Sequence, residues 1–160
     1  MTRMRGTRTY VDASVFGGVF DEEFAGPSQA FFDQVQEGRF SIVTSALVAD
    51  EVGRAPTDVR ELYQRVLPAA ELIAADEEAL ALQGAYLSTG IVSLRWADDA
   101  LHVALAVVAA ADLIVSWNFR HIVHWEKGPL YNAVNRLRGY REVAIHSPSE
   151  VIMYEDDEAV

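Results

Sequence analysis

Short runs of β-forming residues alternate along this chain with stretches of helical apolar period, and that alternation is the strongest constraint on its fold. Thr9, Tyr10 and Val11 form the first run and give way to small and polar residues at Asp12, Ala13 and Ser14. Residues 40–44 form a second, Leu113, Ile114 and Val115 a third, and residues 143–146 the last. Residues 72–75 read as a short buried segment. Strands separated by helices pair in parallel, so the pattern predicts an α/β fold with a central, mostly parallel β-sheet flanked by helices.

The helix boundaries are read from caps and breakers. Ser28 is expected to cap a helix bearing Ala30, Phe31, Phe32 and Val35 on one side, with Gly17 and Gly18 opening a loop before it and Gly38 ending it. Ser45 should cap a helix over residues 46–52, with Leu47 and Val48 facing inward. Pro56 and Thr57 begin another that Pro68 stops, and Asp76 caps one that Gly90 closes. Residues 98–111 read as an almost wholly apolar helix. Pro129 starts a further one whose inner face is Leu130, Val134 and Leu137, ended by Gly139.

With 160 residues, 51% of them apolar, the chain suffices for one core. One domain over residues 1–152 is expected, followed by an acidic C-terminal tail over 153–160. The absence of cysteine excludes disulfides, thiolate metal sites and cysteine nucleophiles, and fits the cytoplasm. The longest apolar stretch, around residues 103–111, is far shorter than the roughly 20 residues of a membrane helix, so no membrane partner is expected. Arg3, Arg5 and Arg8 are followed by no hydrophobic signal core. Net charge is −11, of which Glu155, Asp156, Asp157 and Glu158 supply four negative charges. Such a balance argues against a module that coats nucleic acid by charge alone, but admits a nuclease that meets phosphate through cations.

In open α/β sheets functional groups gather beyond the carboxyl ends of strands, where Asp12 and Asn118 lie in this reading. Asp99 opens the apolar helix, and Glu51 lies near the end of the helix that carries Leu47 and Val48. If they converge, three carboxylates and an amide make an oxygen-only site suited to Mg2+ or Mn2+ rather than zinc, with metal-assisted phosphodiester hydrolysis as its chemistry. Each residue also has an ordinary use. Asp12 can start an Asx turn, Asp99 can be an N-cap in competition with Asp98, and Glu51, beside Asp50, can face solvent. His102, His121 and His124 read as structural, with His102 one turn after Asp99 and in hydrogen-bonding range; Trp96 and Trp117 read as packing. Arg95, Arg120 and Lys127 are left outside the catalytic set. No GxxxxGK[ST], GxGxxG or GxSxG motif is present.

Residues 10–15 (YVDASV), the segment from Ser45, Ala46, Leu47 and Val48 to Glu51, the stretch Asp99, Ala100, Leu101, His102 with Ala104 and Ala106, and residues 116–119 (SWNF) together resemble the PIN domain, the family that includes VapC-type toxins of bacterial toxin–antitoxin systems. The resemblance runs in order from about residue 8 to 152. Residues 117–122 and 131–135 look like one branch of that family. It implies that Asp12, Glu51 and Asp99 are the first, second and third metal-binding acids and that Asn118 fills a fourth position held by Asp or Asn. These four would be both the catalytic and the metal-binding residues, with Ser14, Asp98 and Ser116 behind them. It further implies an endoribonuclease dependent on Mg2+ or Mn2+, an RNA substrate, a small antitoxin partner and a homodimer. Two alternatives stand beside it. One is a PIN-like module that binds RNA or protein without cutting, for which the uncharged Asn118 is the argument. The other is a phosphatase with Asp12 as nucleophile, which would want a second Asp where Ser14 stands.

Overall fold

Thr7–Val11 (β1) is the middle strand of a single five-stranded sheet in the computed structural model, which describes residues 6–154. Phe40–Ser45 (β2) and Glu71–Ile73 (β3) extend the sheet on one side, Leu113–Val115 (β4) and Ala144–His146 (β5) on the other, in the order β3-β2-β1-β4-β5. Every pairing is parallel, with Tyr10 opposite both Val43 and Ile114. The α/β class expected from the sequence is the class observed.

Parallel strands need crossovers, and the helices supply them. Ala13–Gly18 (α1) and Ala25–Gln36 (α2) join β1 to β2, and Ala46–Gly53 (α3) and Thr57–Val66 (α4) join β2 to β3. Glu77–Thr89 (α5) and Ala97–Val108 (α6) carry the chain back across to β4, then Lys127–Leu137 (α7) leads to β5, and Pro148–Val151 (α8) follows. Helices on both sides explain why the inner strands are continuous apolar runs: β4 is wholly buried, as are Thr9, Tyr10 and Val11 in β1. Phe16, Phe31, Tyr63, Leu82, Tyr86, Leu105 and Tyr131 fill the space between sheet and helices. No helix among the described residues is long and apolar enough to cross a membrane.

Several boundaries differ from the sequence reading, each for a local reason. Gly17 and Gly18 do not open a loop but end α1, a short helix that begins directly after Asp12. A Cβ on Gly18 would lie 2.5 Å from Ser28 Oγ and 2.7 Å from Trp117 Nε1, so glycine is needed for close approach. Ser28 does not cap α2; it lies inside that helix, buried, where its Oγ accepts the Trp117 indole N–H at 2.9 Å. Residues 72–75 are not a buried segment, since β3 is an edge strand and Leu72 is 60% exposed. α6 stops at Val108, and Ala110 adopts a left-handed turn with φ 57°. Leu130 and Leu137 are exposed; the inner face of α7 is Tyr131, Val134 and Asn135, the last hydrogen-bonded to Tyr86. Ser45 and Asp76 do cap their helices, accepting from the N–H groups of Val48 and Ala79. The acidic residues 155–158 of the expected tail, with Arg3 and Arg5, lie outside the described residues.

Candidate functional site

The strand order reverses at β1: the chain leaves to one side for β2 and β3 and returns on the other for β4 and β5. Such a switch opens a crevice beyond the carboxyl ends of the two central strands. Asp12 follows β1 there, and Ser116, Trp117 and Asn118 follow β4.

Asp12 is only 5% exposed. It occupies the N-cap position of α1, yet its side chain makes no capping bond, so the ordinary turn-forming use is not the one observed. Instead its Oδ1 accepts the Ser14 hydroxyl at 2.5 Å and its Oδ2 the Ser116 hydroxyl at 2.9 Å. The two serines are held in turn: Ser14 Oγ accepts the Trp117 backbone N–H and Ser116 Oγ that of Asn118, both at 2.9 Å. Burial pushes the Asp12 carboxyl up, against the opposing pull of His102 and the two serine hydrogen bonds.

Asp98 and Asp99 both lie in the first turn of α6, whose N-cap is Trp96, so neither is the cap. They separate by one step of the helix. Asp98 is exposed and forms no hydrogen bond or ion pair among the described residues, so it is not drawn into the site, whereas Asp99 is half-buried. Desolvation raises the Asp99 carboxyl, opposed by a hydrogen bond from Asn118 and the nearness of His121 and His102, while Glu51 adds to the rise. Asn118 itself uses Oδ1 to accept the backbone N–H groups of His121 at 3.0 Å and Arg120 at 3.2 Å, closing the turn after β4.

Glu51, on α3, is not on a freely solvated face: its Oε1 accepts from His102 Nε2 at 2.6 Å. His102 is 2% exposed on the apolar side of α6, and its Nδ1 meets the Tyr10 hydroxyl at 2.7 Å. Burial alone would lower the imidazole, but the Glu51 hydrogen bond and the charges of Asp12, Glu51 and Asp99 outweigh it and hold His102 above the ordinary value. The sequence reading of His102 as a structural, hydrogen-bonding histidine near Asp99 holds, but the partner is Glu51, which that reading did not name. The signal was available: a histidine one turn from Asp99 on an otherwise apolar, buried helix needs a polar partner, and the nearest polar chain segments are acidic. His121, by contrast, stacks on Trp96 at 4.6 Å, and its ring nitrogens are buried without a hydrogen-bond partner among the described residues.

Asp12, Glu51 and Asp99 thus share one electrostatic neighbourhood, each coupled to His102. The donor set is all oxygen and suits a hard divalent cation. As they stand, no three acidic or histidine side chains among the described residues are grouped closely enough to hold a metal ion. The donor chemistry fits such an ion, which would have to draw the donors closer together than they stand.

No protein-family model matches the sequence, and no curated protein matches it either. Solved structures do match in fold. VapBC2 from Rickettsia felis, bound to a DNA fragment from its promoter, aligns over 88% of this chain and 98% of its own at 12% identity and TM-score 0.54. FitAcB from Neisseria gonorrhoeae aligns over 89% and 99% at 16% identity and TM-score 0.58, and VapBC-1 from nontypeable Haemophilus influenzae over 89% and 98% at 8% identity and TM-score 0.58. The fold is the VapC-like PIN fold.

Proposed function

We propose that this chain is an endoribonuclease dependent on Mg2+ or Mn2+, acting in the cytoplasm as the toxin of a toxin–antitoxin pair. The observation that carries the reading is the shared electrostatic neighbourhood of Asp12, Glu51 and Asp99, with Asp12 directly after the central strand of a PIN fold. Asp12, Glu51 and Asp99 would hold the cation, with Asn118 beside them. Bound there, a divalent cation supplies neutralisation of the acid charge, attraction for phosphate and acidification of water.

The chain's own groups do the arranging. Ser14 and Ser116 fix both oxygens of Asp12, so this carboxylate meets a ligand preorganised rather than freely rotating. Asn118 orients Asp99 without adding charge. Attack of water on phosphorus with cleavage of the P–O3′ bond leaves a 5′-phosphate and a 3′-hydroxyl. A second copy and a small antitoxin that covers the acids belong to the same proposal.

Labelled single-stranded and structured RNA should be cut by the purified protein with Mg2+ or Mn2+ and left intact with EDTA. Asp12→Asn and Asp99→Asn should each lower the rate by at least about 100-fold, the loss of charge at a site where metal polarises the reactants. A cyclic 2′,3′-phosphate product, or equal cutting in EDTA, overturns the reading. A second reading, a module that binds RNA or protein without cutting, draws on the Asn118 oxygen being already engaged by two backbone N–H groups. RNA retention by a folded, Mn2+-binding protein that cuts nothing would favour it.

A further inference from the structure

Behind Glu51 runs a chain of buried polar groups from three elements. The Val48 N–H donates to Ser45 Oγ at 3.2 Å, Ser45 Oγ and Tyr10 Oη are 2.8 Å apart, Tyr10 Oη and His102 Nδ1 2.7 Å, and His102 Nε2 and Glu51 Oε1 2.6 Å. Ser45, Tyr10 and His102 are 0%, 0% and 2% exposed. The Glu51 carboxylate can only accept, so His102 Nε2 carries a hydrogen, and for a neutral imidazole this orders the remaining hydrogens. Tyr10 donates to Nδ1, and Ser45 donates to Tyr10. Every member is satisfied, so the array is rigid rather than merely tolerated.

Its far end is anchored twice over. Tyr10 belongs to the central strand, hydrogen-bonded on both sides, and Ser45 is the N-cap of the helix that bears Glu51. The imidazole therefore has its plane fixed from behind, and its Nε2–H is aimed at the carboxylate. At Glu51 one oxygen, Oε1, is taken by His102, while Oε2 has no hydrogen-bond partner among the described residues.

We propose that His102 is a positioning residue for Glu51: held by Tyr10 and Ser45, it binds one carboxylate oxygen and reserves the other for the divalent cation shared with Asp12 and Asp99. The inference rests on the metal-dependent reading above and deepens it. A carboxylate that accepts an N–H on one oxygen and gives the other to a metal is oriented at no cost on binding, and removing such outer partners costs roughly 10- to 100-fold in metal affinity.

The test is Mn2+ affinity, read from the electron paramagnetic resonance of free Mn2+ without RNA, for wild type, His102→Leu, His102→Gln and Tyr10→Phe, with circular dichroism melting to verify folding. His102→Leu should bind Mn2+ roughly 10- to 100-fold more weakly. His102→Gln, whose amide nitrogen can reach the place of Nε2, should recover most of that loss. Tyr10→Phe, which removes a hydroxyl that hydrogen-bonds to His102 and to none of the described acids, should show a smaller loss in the same direction. Mn2+ affinity unchanged in all three folded variants overturns the proposal, and so does tighter binding by His102→Leu, which would make the imidazole a rival of the cation. If wild type cuts RNA only with metal while the variants bind Mn2+ as it does, positioning fails and the nuclease reading stands. If wild type binds Mn2+ but cuts no RNA, the nuclease reading fails and the variant affinities still decide the role of His102. Absence of Mn2+ binding by wild type overturns both.

Discussion

At the scale of single residues, the acids and His102 share one sign of pH dependence. His102 is held above its ordinary 6.5, so the folded protein keeps that proton to higher pH than the unfolded chain. Its contribution to stability is full below about 6.5 and is lost as pH rises through the folded value. Asp12 and Asp99 are raised above 3.8, so burying them as anions is a cost that appears as pH rises past the ordinary carboxylate range. Thermal midpoints in EDTA should fall from pH 6 to pH 9, and His102→Gln should flatten the slope; a midpoint that climbs with pH would contradict the assignment. Divalent cation should reverse the trend, because protons then compete with metal for the same groups. Asp12, Ser14 and Ser116 were legible from sequence because strand ends are few and small polar residues stood there. The use of Glu51 was not, since its partner His102 is 51 positions away and lies on another helix.

Among the elements, the misreadings concentrate where packing overrides local signals. Two glycines ordinarily mark a loop, yet α1 takes Gly17 and Gly18 as its last turn because Ser28 and Trp117 press against it. A serine ordinarily marks a cap, yet Ser28 is spent on the Trp117 indole, which is stacked with Phe24 at 4.3 Å. This predicts a pair of linked costs. Gly18→Ala should destabilise by about 1–3 kcal/mol through overpacking, and Ser28→Ala by about 1–3 kcal/mol through the unpaired indole N–H. The added methyl and the serine oxygen compete for the same space, so the double variant should lose less than the sum, as a urea-unfolding cycle will measure. Strand β3 and the outer side of α7 went astray for the opposite reason: Leu72 and Leu137 are apolar residues left on the surface, which no periodicity distinguishes from core.

For the whole molecule, helix and strand alternation was enough to give the α/β class and the parallel sheet, because helical crossovers admit few other arrangements. Strand order was not readable from periodicity, and it is the order that brings the segments after β1 and β4 together. The described surface also carries large apolar side chains, with Leu94 80%, Trp125 81% and Leu137 89% exposed. Light scattering of the purified protein should return twice the chain mass, as the proposed homodimer requires; a single-chain mass across micromolar concentrations would remove the second copy from the proposal.

The central strand joins two ends of unlike character. At its start Arg8 is tied down, pairing with Glu71 at 2.9 Å and donating to the carbonyls of Ala109 and Ala110 where α6 runs out. Four positions on, Asp12 lies among the acids, and midway Tyr10 reaches toward His102. Side chains alternate along a strand, so Arg8, Tyr10 and Asp12 project to one side only while the spacing stays even. β1 is therefore a ruler. Substitutions can vary what it carries, but a one-residue insertion or deletion between Arg8 and Asp12 would put the side chains before it and after it out of phase, on opposite faces. Length, more than composition, is the property of this strand on which that phase depends.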